Sequence, residues 1–87
     1  MTKVLEKMSK YLEQSEEELN RDELYHAKLP LNSLISTYMI YESALEDSPE
    51  FYEAYSMYKR GVELLVEINH RLHNHHGVSV CKRLLQY

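Results

Sequence analysis

Four histidines crowd the end of this sequence: His70, His73, His75 and His76. On a continuing helix, residues three apart share a face, so His70 pairs with His73 and His73 with His76. Imidazoles at that spacing ligate zinc, nickel or copper, and Cys81 offers a further ligand if the chain folds back. His70, His73 and His76 are therefore the candidate metal ligands. The pattern is not that of a zincin, which needs Glu directly after the first His and the second His four positions on. No second Cys or His pair stands elsewhere, and His26 is isolated. The competing reading needs no cofactor: a polar helix end, where imidazoles interact favourably with the negative pole of the helix dipole. Imidazole also titrates closest to neutral pH, which makes the cluster a candidate pH-responsive contact.

Other catalytic chemistry is sparse. Gly61 and Gly77 are the only glycines, so no glycine-rich phosphate loop exists. Cys81 precedes Lys82 and Arg83, but no residue nearby supplies a base for a thiol nucleophile. Glu46 and Glu50 could pair, yet a chain of 87 residues has little room for a pocket around them. A stand-alone enzyme is not expected.

The elements that would position these residues are helical. Leu5, Met8, Leu12, Ser15 and Leu19 follow steps of three and four, a heptad-like stripe that predicts a first helix capped by Thr2. Pro30 disfavours helical geometry at Leu29 and predicts a boundary there. A second helix is expected from Asn32, as N-cap, to Glu46, with Leu31, Leu34, Ile35, Tyr38, Tyr41 and Leu45 on one face. Ser48 followed by Pro49, Glu50 and Glu53 is a helix-start signal. The third helix is expected to carry Phe51, Tyr55, Tyr58, Val62, Leu65, Ile68 and Leu72, to end at His75 or His76, and to be C-capped by Gly77. A second apolar row, Ala54, Met57, Gly61 and Leu64, widens its face. At about 40 Å such a helix outgrows a chain this short and predicts packing on another chain. Ser79 to Tyr87, with Val80, Leu84 and Leu85, predicts a short helical tail. The expected fold is all-α: one small domain over residues 1–87, an antiparallel hairpin with an N-terminal helix packed on it.

Composition agrees. Hydrophobic residues make up 44% and charged residues 28%, and Gly and Pro number two each, unlike a loop-rich or disordered chain. The net charge of −4 argues against direct nucleic-acid binding. The longest uncharged stretch, Leu29–Tyr41, is too short and polar to span a bilayer. One Cys and an N-terminal segment without an apolar stretch lead to an expected cytoplasmic location.

Charge and tyrosine are unevenly spread. Residues 29–58 hold Glu42, Glu46, Asp47, Glu50 and Glu53 and no Lys or Arg, whereas residues 59–87 hold five basic side chains against Glu63 and Glu67. This segregation suits either a solvated turn or charge complementarity to a partner or another copy. Eight Tyr stand against one Phe and no Trp. Tyr38, Tyr41, Tyr52, Tyr55 and Tyr58 gather around one helix–helix turn, as a core rim or as a recognition surface.

From Leu31 to Leu72 the chain resembles the small subunit of exonuclease VII. The matching features are the apolar steps Leu31, Leu34, Ile35, Tyr38, Tyr41 and Leu45, then Leu45-Glu46, Glu53-Ala54, Tyr58 and Gly61-Val62-Glu63-Leu64. The resemblance covers about half the chain; the turn Asp47-Ser48-Pro49 lacks the family's glycine, and the first 28 residues and the His-rich tail have no counterpart. It implies a non-catalytic subunit that binds the helical stalk of a large nuclease subunit. The expected function is therefore non-enzymatic protein binding, as an accessory subunit or small regulator in a homo- or hetero-oligomer. Tyr38, Tyr41, Tyr55, Tyr58, Val62 and Leu65 are the expected seam, shared between core and interface. Two alternatives stay open: a metal- or pH-responsive module built on the His cluster, and an acidic, phage-type inhibitor of a nucleic-acid-binding protein.

Overall fold

The computed structural model describes residues 2–85, Thr2 by its backbone alone. The chain forms four helices: α1 (Thr2–Asn20), α2 (Leu24–Glu46), α3 (Phe51–Arg71) and α4 (His75–Leu85). No strand occurs among the described residues. α1 packs on α2, α2 and α3 form the antiparallel hairpin, and α4 folds back along α3. The expected Thr2 cap and the last two residues of the tail lie outside the described side chains.

The stripe on α1 faces the core as its spacing predicts. Val4, Met8 and Ser15 are buried, and Leu5, Tyr11, Leu12 and Leu19 pack against them. Ser15 satisfies its hydroxyl locally by donating to the Leu12 carbonyl at 2.8 Å. α1 stops in a Schellman motif: Glu23 N–H reaches the Glu18 carbonyl at 2.9 Å and Asp22 N–H the Leu19 carbonyl at 3.0 Å. Asp22 takes the left-handed conformation, φ 62°, that this motif requires.

The boundary expected at Pro30 is absent, and Asn32 is not an N-cap. α2 starts at Leu24 and runs through Pro30 to Glu46. Proline removes one intrahelical donor and crowds the preceding turn, at a cost of about 3 kcal/mol. Ala27 and Leu31, on either side of Pro30, are fully buried, as is Leu34. Each buried Leu contributes about 1.5–3 kcal/mol, so packing against α1 and α3 outweighs the local penalty. A Cβ on Gly61 of α3 would stand 3.0 Å from a methyl carbon of Leu34 of α2, so the missing side chain leaves room for that leucine between the two helices.

α3 begins at Phe51, two residues beyond the expected position of Pro49. Ser48 is not the cap expected: Glu50 holds the N-cap position without a side-chain hydrogen bond, and the Ser48 hydroxyl instead accepts from the Glu50 N–H at 3.1 Å in the turn before the helix. The overlong third helix is corrected. α3 ends at Arg71 in a second Schellman motif, with His73 left-handed at φ 58°. His73 N–H bonds the His70 carbonyl at 3.1 Å and Asn74 N–H bonds the Asn69 carbonyl at 2.8 Å. Asn74 then N-caps α4, its side-chain oxygen accepting from Gly77 N–H at 3.0 Å. Gly77 therefore lies in the first turn of α4 and does not end α3. A Cβ there would fall 2.7 Å from the Asn74 amide nitrogen and 2.8 Å from Cγ of Asn69. Asn69 is buried beneath this corner and takes a hydrogen bond from the Asn74 amide at 3.3 Å.

Candidate interaction surface

The aromatic residues of α2 and α3 lie against one another. Tyr38 and Tyr58 stack with ring centroids 4.3 Å apart and planes inclined by 23°; Tyr55 sits 6.5 and 6.4 Å from them. Phe51 extends the row, 6.0 Å from Tyr55. Burial, with the Glu42 carboxylate nearby, holds the phenols of Tyr38 and Tyr58 above the ordinary tyrosine range. The Tyr58 hydroxyl points at the Leu84 carbonyl across 3.5 Å, so this cluster ties α4 to the hairpin. A small cavity of about 280 Å³ opens beside it, lined by Met39, Glu42 and Leu84 as well as the three tyrosines.

This placement divides the expected seam. Tyr38, Tyr58, Val62 and Leu65 are buried within the single chain, leaving no surface for a partner. Their apolar rows meet α1, α2 and α4, which use the area that a straight third helix would have offered to another chain. Tyr55 is half-buried and Tyr41 remains exposed. Tyr52, not among the six, is far more open.

The histidines are also redistributed. His70 closes α3, His73 occupies the left-handed turn, and His75 and His76 begin α4; all four are exposed. The three-residue face that would have aligned His70, His73 and His76 requires a continuous helix, and the break at Leu72–Asn74 removes it. No group of three or more His, Cys, Asp or Glu is arranged to hold a metal among the described residues. His75 and His76 stand at the N-terminal, positive end of a helix, the reverse of the dipole relation expected for a fraying C-terminus. Cys81 is buried on α4; burial raises its thiol pKa, partly offset by the Asn69 amide 3.8 Å away.

The acidic residues of the second turn face different neighbours. Glu50 and Glu53 line a groove of about 740 Å³ with Leu5, Glu6, Lys10 and Glu13 of α1. Glu42 instead flanks the tyrosine cluster. The contribution of Glu6 and Glu13 was legible only as an outward polar row of α1, with no signal tying it to the second turn.

The surface that sequence reasoning missed is the outer face of α2. Tyr25 is 71% exposed, Leu29 67%, Met39 48% and Ile40 74%. Between them stand Asn32, Ser36 and Ser43, all exposed. Turning 100° per residue, these seven positions fall within about 60° of Ser36, opposite the buried Leu31, Leu34, Tyr38 and Leu45. No Lys, Arg, Asp or Glu lies among them. α2 therefore has apolar side chains on both sides, whereas a surface helix ordinarily segregates them to one. The uncharged run Leu29–Tyr41 was the available signal.

These features define an all-α helical bundle with one uncharged helix face left open. No protein-family model, no curated protein and no solved structure matches the chain. Among the described residues no helix is long and apolar enough to cross a membrane.

Proposed function

We propose that this chain is a non-enzymatic protein-binding protein, an accessory subunit or small regulator, and that it engages other protein chains through the outer face of α2. The observation that carries this reading is the exposure of Leu29 and Ile40 on a face without charge. Desolvating such a face breaks no ion pair and strands no buried charge, while bulky apolar side chains return free energy on burial. The partner class suggested by the resemblance to the exonuclease VII small subunit, a helical stalk, suits a surface one helix wide.

The test is association of the full chain, tagged and expressed in its native source, compared with Leu29→Glu and Ile40→Glu. Both positions are exposed, so the variants are expected to keep the parent melting temperature within a few degrees. Each is expected to lose stoichiometric association, with itself or with a second protein. Retention of every association by both variants would refute this assignment of the surface.

A further inference from the structure

Resting on that reading of α2, we infer that the occupant of its outer face is a second copy of this chain, the two α2 helices packing antiparallel about a two-fold axis at Ser36. The face is self-complementary under that operation. With 1.5 Å and 100° per residue, Leu29 lies about 10 Å to one side of Ser36 and Ile40 about 6 Å to the other. The axis exchanges the two ends, so Leu29 of one copy meets Ser43 and Ile40 of the other. Met39 covers Asn32, and the small Ser36 faces itself, where the axes must approach most closely. The bulky Leu29 and Ile40 thus cluster at each end of the seam, while Asn32, Ser36 and Ser43 leave room for close approach.

The flanks carry a second, independent complementarity. Lys28 and Glu46 both lie about 80° to the same side of Ser36, at opposite ends of α2. A two-fold axis brings like flank to like flank with the ends reversed. Lys28 then falls within about 3 Å, measured along the helix, of Glu46 in the second copy. The pair occurs twice. Neither residue belongs to an ion pair of its own chain among the described residues. A parallel two-fold, with its axis along the helices, would instead put the Lys28 and Glu46 flanks of the two copies on opposite sides of the seam, where they could not pair.

Size sets the strength. The face from Tyr25 to Ser43 is about 27 Å long and one helix wide, and buries on the order of 400 Å² per copy. That is less than the roughly 600 Å² per partner at the lower bound of stable interfaces. The dimer is therefore dynamic, dissociating in the range of about 1–100 µM. A membrane surface is the poorer occupant, since Glu42 and Glu46 border the face and anionic lipid would repel them.

Sedimentation equilibrium of the purified full chain between about 1 and 500 µM tests this. The expected result is a mass rising toward twice that of the monomer. Ile40→Glu should hold the chain monomeric throughout. Lys28→Glu and Glu46→Lys should each weaken the dimer about 10-fold, and the double variant should recover most of that loss. A monomer at every concentration overturns the inference, as does a dimer indifferent to Ile40→Glu or unrescued by the charge exchange. If the chain stays monomeric while Leu29→Glu or Ile40→Glu loses a different protein, the self-pairing fails and the protein-binding reading stands. If neither association depends on this face, both fail. Insertion of a monomer into phosphatidylcholine–phosphatidylserine vesicles would also overturn the self-pairing.

Discussion

Replacing Gly77 by alanine tests whether the break between α3 and α4 is built as described. Intrinsic propensity favours the substitution by about 1 kcal/mol, because alanine is the better helix former. The corner opposes it. The new Cβ would lie 2.7 Å from the Asn74 amide nitrogen, and 2.8 and 2.9 Å from Cγ and Nδ2 of the Asn69 side chain. Asn74 is the N-cap of α4, and displacing a cap costs about 1 kcal/mol. Asn69 is buried, and leaving its amide without partners costs about 1–3 kcal/mol. The balance is a loss of about 2 kcal/mol, which lowers the melting temperature by about 8–16 °C for a chain of this size. Thermal unfolding followed by circular dichroism at 222 nm reads this directly. Gly61→Ala is the matched control. Its Cβ meets the flexible end of Leu34 at 3.0 Å, so mild overpacking offsets the propensity gain and stability should stay within about 1 kcal/mol. If Gly77→Ala melts at or above the parent temperature, Asn69 and Asn74 do not form the corner described.

Pro30→Ala restores the donor missing from the middle of α2 and should stabilise by about 1–2 kcal/mol, the gain being reduced by greater freedom of the unfolded chain; a urea midpoint that falls would contradict this. His73→Gly relieves a left-handed non-glycine residue and should add about 1 kcal/mol, measured in the same titration. Tyr38 and Tyr58 hold their protons more tightly when folded, through burial first and Glu42 second. Their contribution is fully present below about pH 10, where unfolded tyrosine titrates, and is lost as pH rises through the higher folded values. Absorbance at 295 nm should therefore show these two ionising later in the folded chain than tyrosine in the unfolded chain, together with loss of helicity. Cys81, buried and with its pKa raised, should react with a thiol reagent far more slowly in the native chain than in 6 M guanidinium; equal rates would mean that α4 does not pack back on α3 as described.

The faces of the helices were legible because burial enforces periodicity. Met8, Leu12 and Ser15 on α1, Leu31, Leu34 and Tyr38 on α2, and Val62, Leu65 and Ile68 on α3 all turn inward where their spacing put them. The ends were not legible wherever a local rule met a tertiary one. Pro30 reads as a stop, but Ala27, Leu31 and Leu34 are worth more inside than the missing bond. The α3–α4 break is signalled by no proline, and its left-handed residue is histidine, held there by two backbone bonds reaching back into α3. Gly77 invited the opposite reading, since glycine after a helical run usually marks an end. Its role is close approach to Asn69, a contact invisible along the chain. The histidine cluster fell with the same mistake, because its alignment depended on helix continuing through His73.

The outer face of α2 follows from how few helices the chain has. A helix apolar on all sides belongs inside a bundle, surrounded by neighbours. α2 has α1 on one side, α3 behind it, and the end of α4 reaching its edge at Met39 and Glu42. The bundle is thin, its Cα envelope measuring 38 by 26 by 16 Å, so no layer remains to close the fourth side. The residues left there are not a random sample of surface types: from Leu29 to Tyr41 the sequence places no charge at any exposed position. An ordinary surface helix would carry Lys or Glu at such sites, where they cost nothing and favour solubility. Their absence, beside charged residues at Lys28 and Glu42 that bound the run, is what a face kept for another helix requires. In the dimer inferred above, a second α2 would supply that missing side and turn a thin bundle into one whose most apolar helix is enclosed.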